Sequence, residues 1–253
     1  MNSNLYVKAN AIIKASTAAY FGVPDENGNP VVMTITPLLP QDMLVIYFST
    51  ALWTNKVSSI KNDKRSSLCF HAERDNITLV GESEIITDQA ITNKFWDEKL
   101  RCIFPGGEMD EHYCIIKFIT ERVSLRIGGE KAAFTVEELL RVQSRCGLCC
   151  DWCEYKQSAN CGGCIETNGN PFYGECSVAK CCQTKALAHC GECDNVPNDC
   201  GGSGDCGYDS CFTCAKTTCP QLSAYSFADK NHGDNPPGAR IELTKAWKNS
   251  TKQ

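Results

Sequence analysis

The sequence predicts a mainly β (α+β) barrel over residues 1–133. A linker helix at 134–145 joins it to a small metal-stabilised cysteine-rich domain at 146–219, followed by a polar C-terminal tail at 220–253. Three observations carry this reading. First, about six short apolar or alternating runs are separated by turn signals, a pattern that favours a closed or partly closed barrel over a parallel βαβ sheet. Second, 16 of the 19 cysteines fall between Cys146 and Cys219. Third, that stretch has only Leu148, Ile165, Phe172, Val178, Leu187, Val196 and Phe212 as Leu, Ile, Val or Phe. So little apolar surface does not offset the entropy of ordering the segment, and covalent or coordinate bonds must hold it.

In order, residues 5–19 place apolar side chains at helical spacing. Tyr20–Val23, the DENGNP turn at Asp25–Pro30 and Val31–Pro37 read as a β-hairpin. A strand follows at Met43–Phe48, then a short helix at Thr54–Lys64. Ser66–His71 and Ile77–Ile86 are strands, and Thr87 begins a second helix through Asp97 or Leu100. Phe104–Asp110 is a loop, and Tyr113–Ile119 and Arg122–Ile127 are two further strands. In the linker helix Thr135 suits the N-cap, with Glu138 completing a capping box. After Pro220 the chain turns polar, with Asp229–Gly238 as a connector and Ile241–Trp247 as one short helix.

The chain carries 25 basic and 30 acidic residues. Residues 1–145 hold 16 and 18 of these, leaving 9 and 12, so neither half is the basic surface that nucleic acid favours. Lys8 and Lys14 interrupt the N-terminal segment, and no apolar run of membrane-spanning length occurs. A cytoplasmic protein with no membrane or nucleic-acid partner is expected. In a reducing compartment, paired cysteines read as metal ligands; a secreted disulfide scaffold is the alternative. No GxxxxGK[ST] or GxGxxG follows a strand, which removes the P-loop and Rossmann readings.

The segment Gly28–Lys56 runs G-x-P-V-V-M-T-I-T-P, then L-V-I-Y-F-S-T, then T-N-K-V. With Leu79–Gly81, Phe95–Trp96 and Phe104-Pro105-x-Gly107…Tyr113, it resembles the pyridoxamine 5′-phosphate oxidase-like FMN-binding split barrels, in particular the general stress protein 26 branch. The resemblance spans residues 8–128. It implies a homodimer with FMN at the interface. By position, Val32, Met33 and Thr34 would line the flavin ring, Ser49 and Thr50 would approach the phosphate, and Asn55 and Lys56 would complete the phosphate site. Residue chemistry agrees: Lys56 at a helix start, near Ser49, Thr50 and Thr54, offers a cation, hydroxyls and helix amides. The strand Val31–Thr36 lacks the basic residues of the true oxidases, and Asn55 stands where they carry arginine, which argues against vitamin B6 oxidation. His71 reads as a strand-edge residue, Trp96 and Phe104 as core, and Cys69, Cys102 and Cys114 as small buried hydrophobes.

Two residues separate the cysteines of Cys146/Cys149, Cys150/Cys153, Cys161/Cys164, Cys190/Cys193 and Cys211/Cys214, the spacing of tetrahedral zinc ligands. Cys146-Gly147-Leu148-x-Cys150-x-x-Cys153, Cys161-x-Gly163-Cys164, Cys181, Cys190-x-x-Cys193 and Cys200 resemble an uncharacterised cysteine-rich domain described as zinc-binding. Candidate ligands are these residues with Cys149, Cys176, Cys206, Cys211, Cys214 and Cys219, arranged as two or three single-ion zinc (Zn2+) sites. An iron–sulfur cluster is the rival, because Cys206-x4-Cys211-x2-Cys214 copies the opening of a plant-type ferredoxin motif. His189 reads as a surface residue. The functional expectation is an FMN-dependent oxidoreductase or electron-transfer flavoprotein acting on a small acceptor, with a nicotinamide as a possible electron donor and no identifiable catalytic acid or base. The alternative is a non-catalytic flavin- or ligand-binding stress or regulatory protein whose metal domain recruits a partner.

Overall fold

A computed structural model describes residues 3–194, 219–227, 234 and 238–250. The chain divides into two compact units, residues 9–136 and residues 1–8 with 137–253. The helix α1 (Ser3–Ala15) opens the chain, and its residues Ala9 and Ile13 are fully buried.

Residues 9–136 fold as a curled antiparallel half-barrel with helices, a mainly β (α+β) split barrel. Its strands are β1 (Ala19–Pro24), β2 (Pro30–Ile35), β3 (Leu38–Asp42), β4 (Val45–Ala51), β5 (Arg65–Ala72), β6 (Asp75–Ile86), β7 (Tyr113–Ile127) and β8 (Glu130–Thr135). The sheet runs β2-β1-β5-β6-β7-β4-β3, and β8 also pairs with β7. Three strands lie between β1 and β4 along that path, yet the rings of Phe21 and Phe48 meet edge to face at 4.7 Å. The sheet therefore curls around an interior of alternating side chains, including Phe21, Phe48, Leu68, Phe70, Leu79 and Phe118, all essentially inaccessible.

The β1–β2 hairpin forms where expected. The Asp25 carboxylate accepts from the Asn27 and Asn29 amides at 2.8 Å each, and Gly28 supplies the positive φ of the turn. The fourth strand begins two residues later than expected, at Val45, after an additional strand, β3. Pro40 hid β3, but proline is tolerated at a sheet edge, and β3 is an edge strand. The two strands expected at Tyr113–Ile119 and Arg122–Ile127 are the single strand β7. One edge of β7 pairs with β6 along nearly its whole length; the other is shared by β4 and β8. The β6–β7 register shifts between Val80 and Gly81. A Cβ on Gly81 would lie 1.9 Å from the Ile119 carbonyl oxygen, so only glycine fits this approach.

Two expected helices are corrected. The segment from Thr87 breaks into α3 (Gln89–Thr92) and 3-10 turns at Asn93–Phe95 and Glu98–Cys102. Asp88 accepts from the Ala90 amide and Asp97 from the Lys99 amide, so each carboxylate starts its own short turn instead of prolonging one helix. The linker helix is only α4 (Val136–Leu140), and Thr135, read as its cap, is the last residue of β8. Gly128 and Gly129, both at positive φ, turn β7 back into β8.

The second unit contains α5 (Glu154–Ser158), α6 (Gly163–Glu166), α7 (Ser177–Thr184), α8 (Pro220–Ser226) and α9 (Ala239–Ser250). Cys164, Cys176, Cys182, Cys190 and Cys219 share its core with Val178, Ala179, Leu222 and Ile241. The expected helix at Ile241–Trp247 is present and longer, as α9. Two cysteine-bearing turns press against its backbone: a Cβ on Gly147 would lie 2.1 Å from the Arg240 carbonyl oxygen, and one on Gly191 2.0 Å from that of Thr244. Trp247 is fully buried and its indole donates to the Leu139 carbonyl at 3.0 Å. Arg240 donates to the Asp234 carboxylate at 2.7 Å, and burial pushes the Asp234 carboxyl above its ordinary value even with that guanidinium beside it.

Candidate functional site

The first site forms where β4 ends and α2 (Asn55–Asn62) begins. Lys56 Nζ donates to Thr50 Oγ1 at 3.0 Å, and Thr50 Oγ1 lies 3.3 Å from Thr54 Oγ1. Thr54 donates to the Ala51 carbonyl at 2.9 Å, which leaves its oxygen free to accept from Thr50. A chain of polar hydrogens therefore runs from Lys56 through two hydroxyls into the β4–α2 turn. Thr54 is the N-cap residue of α2 yet makes no side-chain cap bond, so the positive end of the helix faces this cluster without a capping oxygen. Thr50 is buried, whereas Lys56 is half-buried. Burial pushes the Lys56 ammonium below its ordinary value, opposed by Cys114. Burial likewise pushes the Cys114 thiol up to about 11, so it is a neutral neighbour at pH 7. A half-buried cation held by two hydroxyls, beside an uncapped helix start, offers the charge and backbone N–H donors that a phosphate monoester fits.

The other residues expected here divide. Ser49 is half-buried on β4, opposite Ile115, and Asn55 is exposed at the first position of α2. Val32, Met33 and Thr34 lie on β2, with Val32 64% exposed, and among the described residues no hydrogen bond links them to Lys56. An aromatic group flanks the cradle. Tyr47 stacks on Phe95 at 4.9 Å, Phe104 packs on Tyr113 at 5.1 Å, and the exposed Trp53 meets His112 edge to face. Phe104 and Trp96 belong to a hydrophobic cluster, as expected for core residues. His71 is exposed and stacks on Tyr20. Cys69 is half-buried and Cys102 exposed, so only Cys114 of that trio is a fully buried small hydrophobe.

The second site is a cavity of about 90 Å³ in the cysteine-rich unit, lined by Cys146, Cys150, Cys153, Cys161, Cys164 and Cys176. The Arg145 amide donates to Cys164 Sγ at 3.3 Å and the Gly163 amide to Cys161 Sγ at 3.4 Å. Burial, then the neighbouring Cys146, Cys164 and Cys153, push the Cys150 thiol up to about 12; burial drives Cys164 up to about 11. Cys149 is buried, outside the cavity lining, and pushed to about 12. Elsewhere Cys182 Sγ lies 3.6 Å from Cys190 Sγ, and Lys185 donates to Cys193 Sγ at 3.4 Å. Cys181 is half-buried and Cys219 buried. Cys200, Cys206, Cys211 and Cys214 lie outside the described residues. Among the described residues no group of three or more His, Cys, Asp or Glu side chains is placed to hold a metal ion.

Sequence reasoning missed Arg145. Arg145 ties the Cys146 turn to the Leu187–Cys190 segment, donating to the Leu187 carbonyl at 2.6 Å while its own carbonyl accepts from the Cys190 amide at 2.8 Å. His189, expected at the surface, is 1% exposed: its Nδ1 accepts from the Gly191 amide at 3.1 Å and its ring packs on Trp247. No described helix is long and apolar enough to cross a membrane.

Comparison with known proteins bears on the first unit. Among solved structures, a protein from Clostridium acetobutylicum related to general stress protein 26 is 22% identical, covering 55% of this chain and 99% of its own with a TM-score of 0.49. General stress protein 26 from Bacillus anthracis is 21% identical, covering 52% and 99%, with a TM-score of 0.45. A heme binding protein from Mycobacterium smegmatis is 16% identical, covering 51% and 57%, with a TM-score of 0.41. A search of curated proteins finds no match. Residues 8–125 match the family described as pyridoxamine 5′-phosphate oxidase like, and this match supports a pyridoxamine 5′-phosphate oxidase-like domain in that part of the chain.

Proposed function

We propose that this protein is an FMN-dependent oxidoreductase or electron-transfer flavoprotein acting on a small organic acceptor, with a metal-stabilised cysteine-rich unit. The observation that carries the reading is the Lys56–Thr50–Thr54 cluster at the start of α2. Lys56 supplies the charge for the FMN phosphate and the first amides of α2 supply neutral donors, while Thr50, itself held by Thr54, anchors the Lys56 ammonium. Bound FMN would supply hydride or electron transfer, and the protein supplies binding, orientation and electrostatics. Ser49 and Asn55 border the phosphate. Val32, Met33 and Thr34 line the ring along β2 in a homodimer, a placement supported by the exposed apolar surface of Val31 and Val32 on that edge strand and of Tyr20 on the neighbouring β1. The paired-cysteine spacing of the second unit is what supports structural zinc there; among the described residues no group of three or more ligand side chains is placed to hold it.

Titration of the flavin-stripped protein with FMN and with riboflavin tests the phosphate site. Tighter binding of FMN is expected. Equal binding of the two would remove the phosphate from the account. Bleaching of the bound flavin by NADH or NADPH under anaerobic conditions would then identify a nicotinamide donor.

A further inference from the structure

The strand register places one row of polar side chains across the outer face of the half-barrel. His71 pairs with Asn76, Asn76 with Arg126, and Arg126 with Lys131, so the row crosses β5, β6, β7 and β8. Residues directly opposite in an antiparallel sheet share a face. All four are exposed, while Phe70, Ile77, Leu125 and Ile127 beside them in sequence are buried on the other face. Two residues along the strands, the next row holds Thr78, Ser124 and Ala133. Asn76, Ser124, Arg126, Lys131 and Ala133 thereby line an open groove of about 400 Å³, a volume within the range of about 300–1,000 Å³ that small-molecule sites occupy.

The four polar side chains of this groove can all donate, and none is a carboxylate. Arg126 and Lys131 stand directly opposite each other, and like charges so placed weaken a strand pair. The adjoining acids, Asp75 and Glu130, each sit one position along their strands and so on the opposite face; Asp75 accepts from the Gly128 amide at 2.9 Å. Elsewhere in this unit the exposed Arg65 and Arg101 each hold a carboxylate, Asp63 and Glu98. Among the described residues the side chains of Asn76, Ser124, Arg126 and Lys131 make no hydrogen bond or ion pair. Arg122, four positions before Arg126 on the same face, adds a third positive charge in a chain of net charge -5. We propose that this groove binds a small molecule through an oxyanion, a phosphate or carboxylate group. The Arg126 guanidinium takes two of its oxygens in a fork, Lys131 supplies a second charge, and Asn76 and Ser124 donate at the rim. The small groove and the acidic balance of the chain favour a small anion over a nucleic acid. The site is independent of flavin at the Lys56 cradle.

NMR titration of the full chain at constant ionic strength, with chloride as the reference anion, tests the site. Inorganic phosphate and succinate are the probes, and they separate a phosphate ligand from a carboxylate one. Backbone signals of Asn76, Ser124, Arg126 and Lys131 should shift saturably with at least one probe. Arg126→Ala should raise the dissociation constant roughly tenfold or more. Lys131→Ala should raise it less, and Lys131→Arg should restore it. Lys56→Ala should leave these shifts unchanged, which separates the groove from the flavin-phosphate cradle. Shifts that do not saturate, or that chloride reproduces, overturn the site. So does an unchanged constant in Arg126→Ala, or a loss in Lys56→Ala alone, which would assign the anion to the cradle. Saturable shifts with a single-stranded oligonucleotide and with neither small anion would overturn it in favour of a nucleic-acid surface. The titration of the unsubstituted protein decides the matter even if a variant fails to fold.

Discussion

Replacing Lys56 by alanine isolates the charge at the proposed phosphate site. Lys56 Nζ lies 3.0 Å from Thr50 Oγ1, and its half-burial already disfavours the ammonium. A bound phosphate would compensate that desolvation, so the contact belongs among charge-assisted hydrogen bonds, worth about 1.5–3 kcal/mol. At about 1.4 kcal/mol per tenfold, the Kd for FMN should rise by roughly 10- to 150-fold. Riboflavin lacks the phosphate and should bind the variant and the parent equally. Lys61→Ala provides the control: it removes the same charge from an exposed position in the last turn of the same helix, where solvent screens it. Fluorescence titration with both flavins measures all of these affinities. An unchanged Kd for FMN in Lys56→Ala, or an equal loss in Lys61→Ala, would refute the placement of the phosphate.

Three further outcomes follow from packing and ionisation. Gly81→Ala places a Cβ against the Ile119 carbonyl, so urea unfolding of the barrel should show a loss on the order of 1–3 kcal/mol; no loss would mean that β6 and β7 separate freely at their register shift. Cys114 has its pKa raised from 9.0 to about 11, so the folded state holds that proton more tightly than the unfolded chain does. Its contribution to stability is complete below pH 9 and disappears as pH rises towards about 11. Cys114→Ala should flatten that part of the alkaline limb, whereas an identical limb in both proteins would assign it to other groups. Trp247→Ala empties the centre of α9 packing and leaves the Leu139 carbonyl without its donor, so thermal unfolding of the cysteine-rich unit should register a loss of about 3–5 kcal/mol; an unshifted transition would show that α9 does not support the unit.

The barrel was legible where local chemistry and tertiary structure agree. The β1–β2 hairpin carries its own turn residues, and β5 and β6 alternate along their length. The misreadings have the opposite character. β3 and β8 exist because neighbouring edges were available to pair with, which no local run announces. β7 remains one strand because β6 supports it across the step that looked like a break. At the candidate site, Lys56 and Thr50 could be paired from sequence because the β4–α2 turn brings them back within six residues, while Cys114 reaches the cluster from a strand far along the chain. In the second unit the cysteine spacing exposed the local pairs, but not the grouping, which depends on the Arg145 bonds to the Leu187–Cys190 segment and on glycine-mediated packing against α9. His189 illustrates the same limit: an imidazole beside a cysteine gives no sign in sequence that a tryptophan 58 positions later will cover it.

The most direct measurement is an absorption spectrum of the purified full chain after equilibration with FMN and removal of the free cofactor, with the retained chromophore identified by mass. The account predicts oxidised-flavin bands and one FMN per chain, reduced or lost in Lys56→Ala. A folded protein that retains no FMN under these conditions would contradict it.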